Sequence, residues 1–370
     1  MTRIVQCGWE TGNEQQAGSV GAAGTGMQTP VAATSAPTPR SGAYCLKCAL
    51  VAGAPSGGNL NSSYSRATVA HATLTEVWYA FGFQWSHSQE PGSYTWVMLH
   101  ALGADGNPNV VLSCDAGTIR AYAVTGGTNN PNASSNLSAI GAASAAMSAG
   151  AWHLVEVRLI ASTTTGGTCQ VYADGTQVIN STGVRTAQTT ASYQSVVLSV
   201  NNWSGNASTG TSYHSFDDFR CNSVAGSVNN GRPGDESIRL IVPNAPGDLT
   251  QLTRGGTDSG NNWDQCDEVP ASTAEYVTGA GAGLTDLYHT TDLAPTSVSA
   301  VNVLALASNA SGGGTVALVT RTPAGQSAGT AVSLQTTWGW TSRLLEVDPA
   351  DSAAWSSSKL AALQIGAAVG

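Results

Sequence analysis

Short runs of β-branched and aromatic residues recur along the chain, separated by clusters of Gly, Asn, Asp and Ser. Such runs bounded by turn formers predict strands. In the first part they cover Val77–Trp85, Tyr94–His100, Val110–Cys114, Thr118–Val124, Trp152–Leu159, Gln170–Tyr172, Thr176–Ile179 and Ser212–Arg220. Asp174–Gly175 between two runs predicts a type I′ hairpin, because both residues tolerate positive φ. Within Trp152–Leu159 the alternation places His153, Val155, Val157 and Leu159 on the core side, with His153 at the rim. Leu154, Glu156 and Arg158 take the other face. Helical signal is sparse. Ser356–Leu363 predicts one short helix with serines available as caps. Leu137–Met147 lacks a bulky apolar stripe and contains Gly141, so it reads as loop with about one helical turn. The pattern predicts an all-β chain of sandwich or jelly-roll type.

A turn-rich stretch, 225–234, interrupts the strand pattern. It predicts three parts: a jelly roll over 1–224, a linker over 225–234, and a smaller β-sandwich over 235–370. The second unit is expected to open with a strand over Glu236–Val242. Further strands are expected over Val298–Leu306, Gly314–Thr320, Thr330–Leu334, Arg343–Val347 and Leu363–Gly366.

Composition narrows the function classes. The 370 residues hold 14 Lys+Arg against 23 Asp+Glu, a net charge of −9, and 10% of residues are charged. A nucleic-acid partner needs a basic face, and this chain lacks the charge to build one. No run of apolar residues reaches membrane-spanning length, which predicts no membrane insertion. Met1–Cys7 shows no apolar core of a secretion signal. Seven cysteines leave at least one unpaired, consistent with folding in a reducing cytoplasm. Cys45-x-x-Cys48 lacks a second ligand pair at zinc spacing. It lies in a strand pattern, which places Cys48 in the core and Cys45 on the other face, near the surface.

The first part resembles the concanavalin A-like (laminin-G-like) jelly-roll superfamily. The resemblance is carried, in order, by Gly8–Gly12, Arg40–Leu46, Gly150–Val157, Val171–Val178 and Phe216–Phe219, and covers about residues 1–222. The second part is similar to modules of minor structural proteins of tailed bacteriophages. Its matching residues are Gly234–Asp235, Asn244–Asp248, Trp263, Asp267–Pro270, Tyr276–Val277, Asp286–Tyr288, Asp348–Pro349, Trp355 and Leu363–Gly366. The pairing implies a virion component: a capsid decoration, tail or fibre protein.

The sequence shows no familiar catalytic pattern. Glucanases of the jelly-roll superfamily carry alternating carboxylates on one strand, and no such run occurs here. Asp217–Asp218 is adjacent, so its side chains diverge on a strand; it reads as a strand-end device bonding loop amides. The six histidines are scattered, and neither a nucleophile elbow nor a His-Glu-x-x-His motif is present. Sugar sites combine aromatic faces with neutral polar groups, which nominates Trp85, His87, Tyr94 and Trp203 for glycan binding. For Trp85 and Tyr94 the favoured reading is that they are the strand ends of a core hairpin. No cofactor is expected apart from calcium, for which Asp105 and Asp115 are the candidate ligands.

The resulting expectation is a non-enzymatic, homo-oligomeric structural protein of a tailed bacteriophage, assembled in the host cytoplasm and located in the virion. Its partners would be other virion proteins and copies of itself. A lectin-like adsorption module contacting a host surface glycan is the alternative.

Overall fold

The computed structural model describes residues 3–13, 16, 18–23, 27–51, 64–88, 96–126, 136–202, 210–257 and 260–370. The chain divides into two compact units, Met1–Arg239 and Leu240–Gly370.

Among the described residues the first unit contains fifteen strands. They are β1 (Arg3–Cys7), β2 (Gly18–Ala23), β3 (Met27–Ala33), β4 (Cys45–Leu50) and β5 (Tyr64–Leu74). Next come β6 (Glu76–Ser86), β7 (Trp96–Leu102), β8 (Pro108–Asp115), β9 (Thr118–Val124) and β10 (Leu137–Ile140). The last are β11 (His153–Ile160), β12 (Gly167–Ala173), β13 (Thr176–Val184), β14 (Tyr193–Asn202) and β15 (Ser212–Asn222). One sheet of eight strands runs β13-β12-β11-β6-β15-β4-β3, with β1 paired on β15. The other, of seven, runs β10-β9-β8-β7-β14-β5-β2. The pairing is antiparallel throughout, as in β6 with β11 and β7 with β14.

The expected all-β sandwich is what the alternation builds. Val77, Tyr79, Phe81, Phe83 and Trp85 of β6 meet Met98, Val110, Leu112 and Leu198 of the facing sheet in one buried core. Fully burying each large side chain is worth about 1.5–3 kcal/mol. Val155, Val157 and Leu159 lie in this core as the alternation requires, while His153 bonds Asp174 at the rim (Nδ1 to Oδ2, 2.7 Å). The Asp174–Gly175 turn has positive φ at both residues, 49° and 82°, and joins β12 to β13. Leu137–Ile140 is a strand, not a helical turn. Cys45 and Cys48 occupy opposite faces as expected, yet both are fully buried. Cys45 sits near Asp217 and Glu10, and burial pushes its thiol up to about 12.

The stretch leading out of the first unit is bound to it by side chains. Glu156 is fully buried, and its carboxylate accepts from Arg232 Nε (2.8 Å) and from the Gly234 amide (2.8 Å). The Glu236 carbonyl accepts from Arg40 and Arg220. Asp218 Oδ1 accepts from the Ile238 amide at 2.6 Å, and the Ile238 carbonyl accepts from Ser41 Oγ. These bonds explain why Glu236–Val242, apolar enough to predict a strand, does not form one. Several of its backbone groups already have side-chain partners, and the strand begins at Pro243 instead. Asp217 bonds loop amides as expected, its Oδ2 accepting from Arg40 and Ser41 at 2.9 and 3.1 Å, but it does so from the middle of β15 and not from a strand end. A bulge there, with positive φ at Asp218, also brings both acids to Ser41, whose hydroxyl donates to Asp218 Oδ1, so the expected divergence of the pair does not occur.

The second unit is a smaller β structure. A six-stranded sheet includes Pro243–Thr250, Thr285–Thr290, Gln364–Val369 and Thr315–Thr322. Two-stranded ribbons pair Thr253–Gly256 with Glu275–Thr278, and Val301–Ala307 with Gly339–Leu345. Its core gathers Val303, Leu318, Leu345, Trp355, Leu360 and Leu363. The expected short helix is Ser357–Ala361, capped by Ser356, whose hydroxyl accepts the Lys359 amide.

Candidate active site

The outer face of the seven-stranded sheet carries an unusual mixture of buried apolar and polar side chains. Val97, Val111 and Val124 are buried there, with Tyr122 and Leu137 packed on them. Strand register places Tyr122 (β9), Val111 (β8), His100 (β7), Val197 (β14) and Thr68 (β5) in one row across the sheet. A second row runs Arg120, Ser113, Val97, Asn201 and Tyr64. Ser199 and Arg66 form a pair between the two rows.

A bulge makes this arrangement possible. The register of β7 shifts between Val97 and Leu99, and both Met98 and Leu99 point into the core. Two consecutive inward residues return the next one, His100, to the same outer face as Val97. Simple alternation would have put Val97 and His100 on opposite faces.

His100 is 4% exposed, and its Nε2 has no hydrogen-bond partner. Burial, and then the positive charge of Arg66, lower its pKa to about 3. The ring is therefore a neutral imidazole at physiological pH. Asn201 is 1% exposed, and neither its amide nitrogen nor its amide oxygen has a partner. Most buried polar groups are bonded, and leaving one unsatisfied costs about 1–3 kcal/mol. Two such side chains on one face leave it with polar groups whose bonding capacity is unused. The Arg66 guanidinium lies 4.1 Å from the centre of the Tyr64 ring, which orients it.

At the far end of the row Tyr122 is half-buried. Its pKa is raised, first by burial and then by the charge of Asp115, so the phenol stays protonated. Asp115 is held in turn by the Trp96 amide (3.0 Å), Ser113 Oγ (3.2 Å) and Arg120 Nε (3.5 Å). His100 and Tyr122 are separated by two strand spacings, about 10 Å between backbones. Val111 of β8 lies between them in the row, buried, with Tyr122 packed against its cluster.

The residues nominated from sequence lie elsewhere or are differently placed. Trp85 is 6% exposed and part of the inter-sheet core, so it presents no indole face to a sugar. His87 stacks between Trp85 and Trp96 at 4.8 and 4.6 Å, with its Nε2 2.9 Å from Nε2 of His214. Tyr94 and Trp203 lie outside the described residues. Asp105 sits in the β7–β8 turn, accepting from the Asn107 amide and from Thr189 and Thr190. Asp115 ends β8, seven residues of extended strand beyond its first residue, or about 24 Å. The two acids cannot share one ion. Among the described residues no cluster of three His, Cys, Asp or Glu side chains is arranged to hold a metal.

Comparison with known proteins assigns the first unit to a family. A family model described as polysaccharide lyase matches residues 7–214, which span β7, β8, β9 and β14. The chain belongs to the polysaccharide lyase family. Solved structures similar to this family member include an endo-β-1,4-glucuronan lyase from the fungus Trichoderma reesei. It is 15% identical, covers 59% of this chain and 99% of its own, and has a TM-score of 0.43. The alginate lyase Aly36B is 16% identical over 60% and 96% of the two chains, with a TM-score of 0.38. An alginate lyase of Aplysia kurodai is 14% identical over 52% and 86%, with a TM-score of 0.37. No curated protein matches the chain.

Family membership overturns the expectation of a non-enzymatic virion protein, whether capsid decoration, tail, fibre or adsorption module, while the glycan contact of the alternative reading is compatible with it. It likewise replaces virion partners and a virion location with a glycan-directed enzyme family. The jelly-roll resemblance drew on real features of the sandwich. The function attached to it failed because it came from the pairing with the second unit, beyond the matched residues.

Proposed function

We propose that the first unit cleaves a uronate-containing polysaccharide by β-elimination on the outer face of the seven-stranded sheet. A lyase removes the proton on the carbon α to the sugar carboxylate. The electron pair forms a carbon–carbon double bond as the bond from the β carbon to the glycosidic oxygen breaks, and that oxygen takes a proton. The chemistry requires a group that stabilises the carboxylate as charge builds on it, a base, and an acid.

The observation that carries the reading is His100: buried, neutral, unpartnered at Nε2 and beside Arg66 on a face within the family match. Arg66 and the Asn201 amide bind the substrate carboxylate. His100 takes the α proton, and Tyr122 protonates the departing oxygen. The bound carboxylate offsets the charge of Arg66, which is one of the two influences holding the imidazole's pKa down. Binding therefore raises the basicity of His100 when it is needed.

The test is incubation of the full chain with a panel of uronate polymers, including glucuronan, alginate and polygalacturonate. The unsaturated uronyl product is read by its ultraviolet absorbance and by mass spectrometry. Formation of that product supports elimination. Hydrated reducing ends without unsaturation would reject it.

A further inference from the structure

The second unit contains a half-open cleft of about 240 Å³ with no part in the reaction above. It is lined by Pro246, Thr250, Arg254, Asn261, Trp263 and Tyr288, with Gly260 and Asn262 completing the wall. We infer that this cleft is a second glycan-binding site, which holds one pyranose unit of a polysaccharide and tethers the polymer to the enzyme.

The cleft is built on a rigid support. Asp286 is fully buried and ties four groups together. Its Oδ1 accepts the Gln251 and Leu252 amides at 2.5 and 2.7 Å. Its Oδ2 accepts from Asn262 Nδ2 at 2.6 Å and from the Tyr288 hydroxyl at 2.8 Å. Asn262 Nδ2 also donates to the Leu252 carbonyl (2.8 Å), and Arg254 Nη1 donates to the Gly260 carbonyl (2.6 Å). These bonds pin the turn that presents Asn261 and Trp263 to the strands that carry Pro246, Thr250 and Arg254. A preformed site loses less entropy on binding.

The lining matches the two kinds of surface on a sugar. Trp263 and Pro246 offer apolar area to the C–H face of a ring. Thr250 and Asn261 are exposed and offer a hydroxyl and an amide at its rim. Size agrees: a half-open cleft of about 240 Å³ admits a ligand on the scale of one sugar ring and not a longer segment. Choosing a polysaccharide over other hydroxyl-rich ligands rests on the polymer substrate proposed for the first unit.

Affinity electrophoresis of the full chain tests this, in native gels cast with alginate, glucuronan or neutral hydroxyethylcellulose. A His100→Ala background keeps the polymer intact. The parent should be retarded in at least one gel, and Trp263→Ala should weaken that retardation about tenfold, as expected for losing one aromatic contact. Asn261→Ala, at an exposed position, should weaken it in the same gel and decides the matter if Trp263→Ala misfolds. Retardation in a uronate gel alone or in the neutral gel identifies which pyranose is held. Folded variants that migrate like the parent in every gel, or a parent retarded in none, would overturn the inference. Failure of the elimination reading shows separately, as absence of unsaturated product with Trp263-dependent retardation intact.

Discussion

Arg66 stands close enough to the buried imidazole of His100 for its charge to add to burial in lowering the histidine's pKa to about 3. The two residues reach the same sheet face from β5 and β7, with β14 between them. A cation beside a neutral base is suited to an anionic ligand.

Arg66→Lys keeps the charge but loses the planar fork that grips a carboxylate through two parallel bonds. The expected result is a fall in kcat/KM of about 10-fold or more, matching the loss of a charge-assisted bond. Steady-state kinetics on a uronate polymer measures it. A fully active variant would remove Arg66 from the site.

Tyr122→Phe deletes the proton donor while keeping the ring packed on Val97, Val111 and Val124. A general acid contributes about 10²–10⁴-fold. The variant should lose kcat on that scale while KM changes little. An unchanged kcat would assign the proton to another group.

The buried histidines should make the first unit less stable in acid, working against the opposite contribution of Glu10 and Asp217, whose carboxyl pKa values burial raises. Burial lowers His100 to about 3, His214 to about 4 and His87 to about 2. Unfolded histidine titrates near 6.5. The unfolded state therefore binds more protons between the folded values and about 6.5, and stability rises with pH across that window. The contribution is complete above about 6.5 and is lost as pH falls below it, at about 1.4 kcal/mol per pH unit for each histidine. Thermal melts from pH 7 down to pH 4 should show a Tm that falls relative to that of His100→Gln. Equal slopes in both proteins would contradict a neutral, buried His100.

Arg232→Ala should destabilise the fold through Glu156. The carboxylate is wholly buried, and removing its cation leaves an uncompensated charge costing about 3–5 kcal/mol. Retained contact with the Gly234 amide and partial exposure of Arg232 place the effect at the lower end. Chemical denaturation measures it. A change below 0.5 kcal/mol, the size of an ordinary surface substitution, would mean the pair is solvent-screened.

The strands were readable because a sandwich writes its burial into the chain every second residue. Trp85 shows how far that reading extends: it shares the parity of Tyr79, Phe81 and Phe83, which already points to the core and away from a sugar site. The proposed catalytic face was not readable, for two physical reasons. Arg66, His100, Tyr122 and Asn201 lie on four different strands, and only sheet pairing brings them together. The bulge at Met98–Leu99 also breaks the alternation where His100 would have stood out as a polar residue among apolar ones. One weak signal existed: Arg120 and Tyr122 alternate with Ile119, Ala121 and Ala123, so a polar row faces outward from β9. The Glu236–Val242 segment misled in the opposite direction, since its backbone bonds go to Arg40, Ser41, Asp218 and Arg220, residues distant in sequence.

The most direct measurement of the central claim compares the full chain with His100→Ala on the uronate polymer it cleaves best, following the unsaturated uronyl product. The account predicts product from the parent, and a loss of at least about 10²-fold in kcat for a variant with an unchanged circular dichroism spectrum. A folded His100→Ala that forms the product at the parental rate would contradict it.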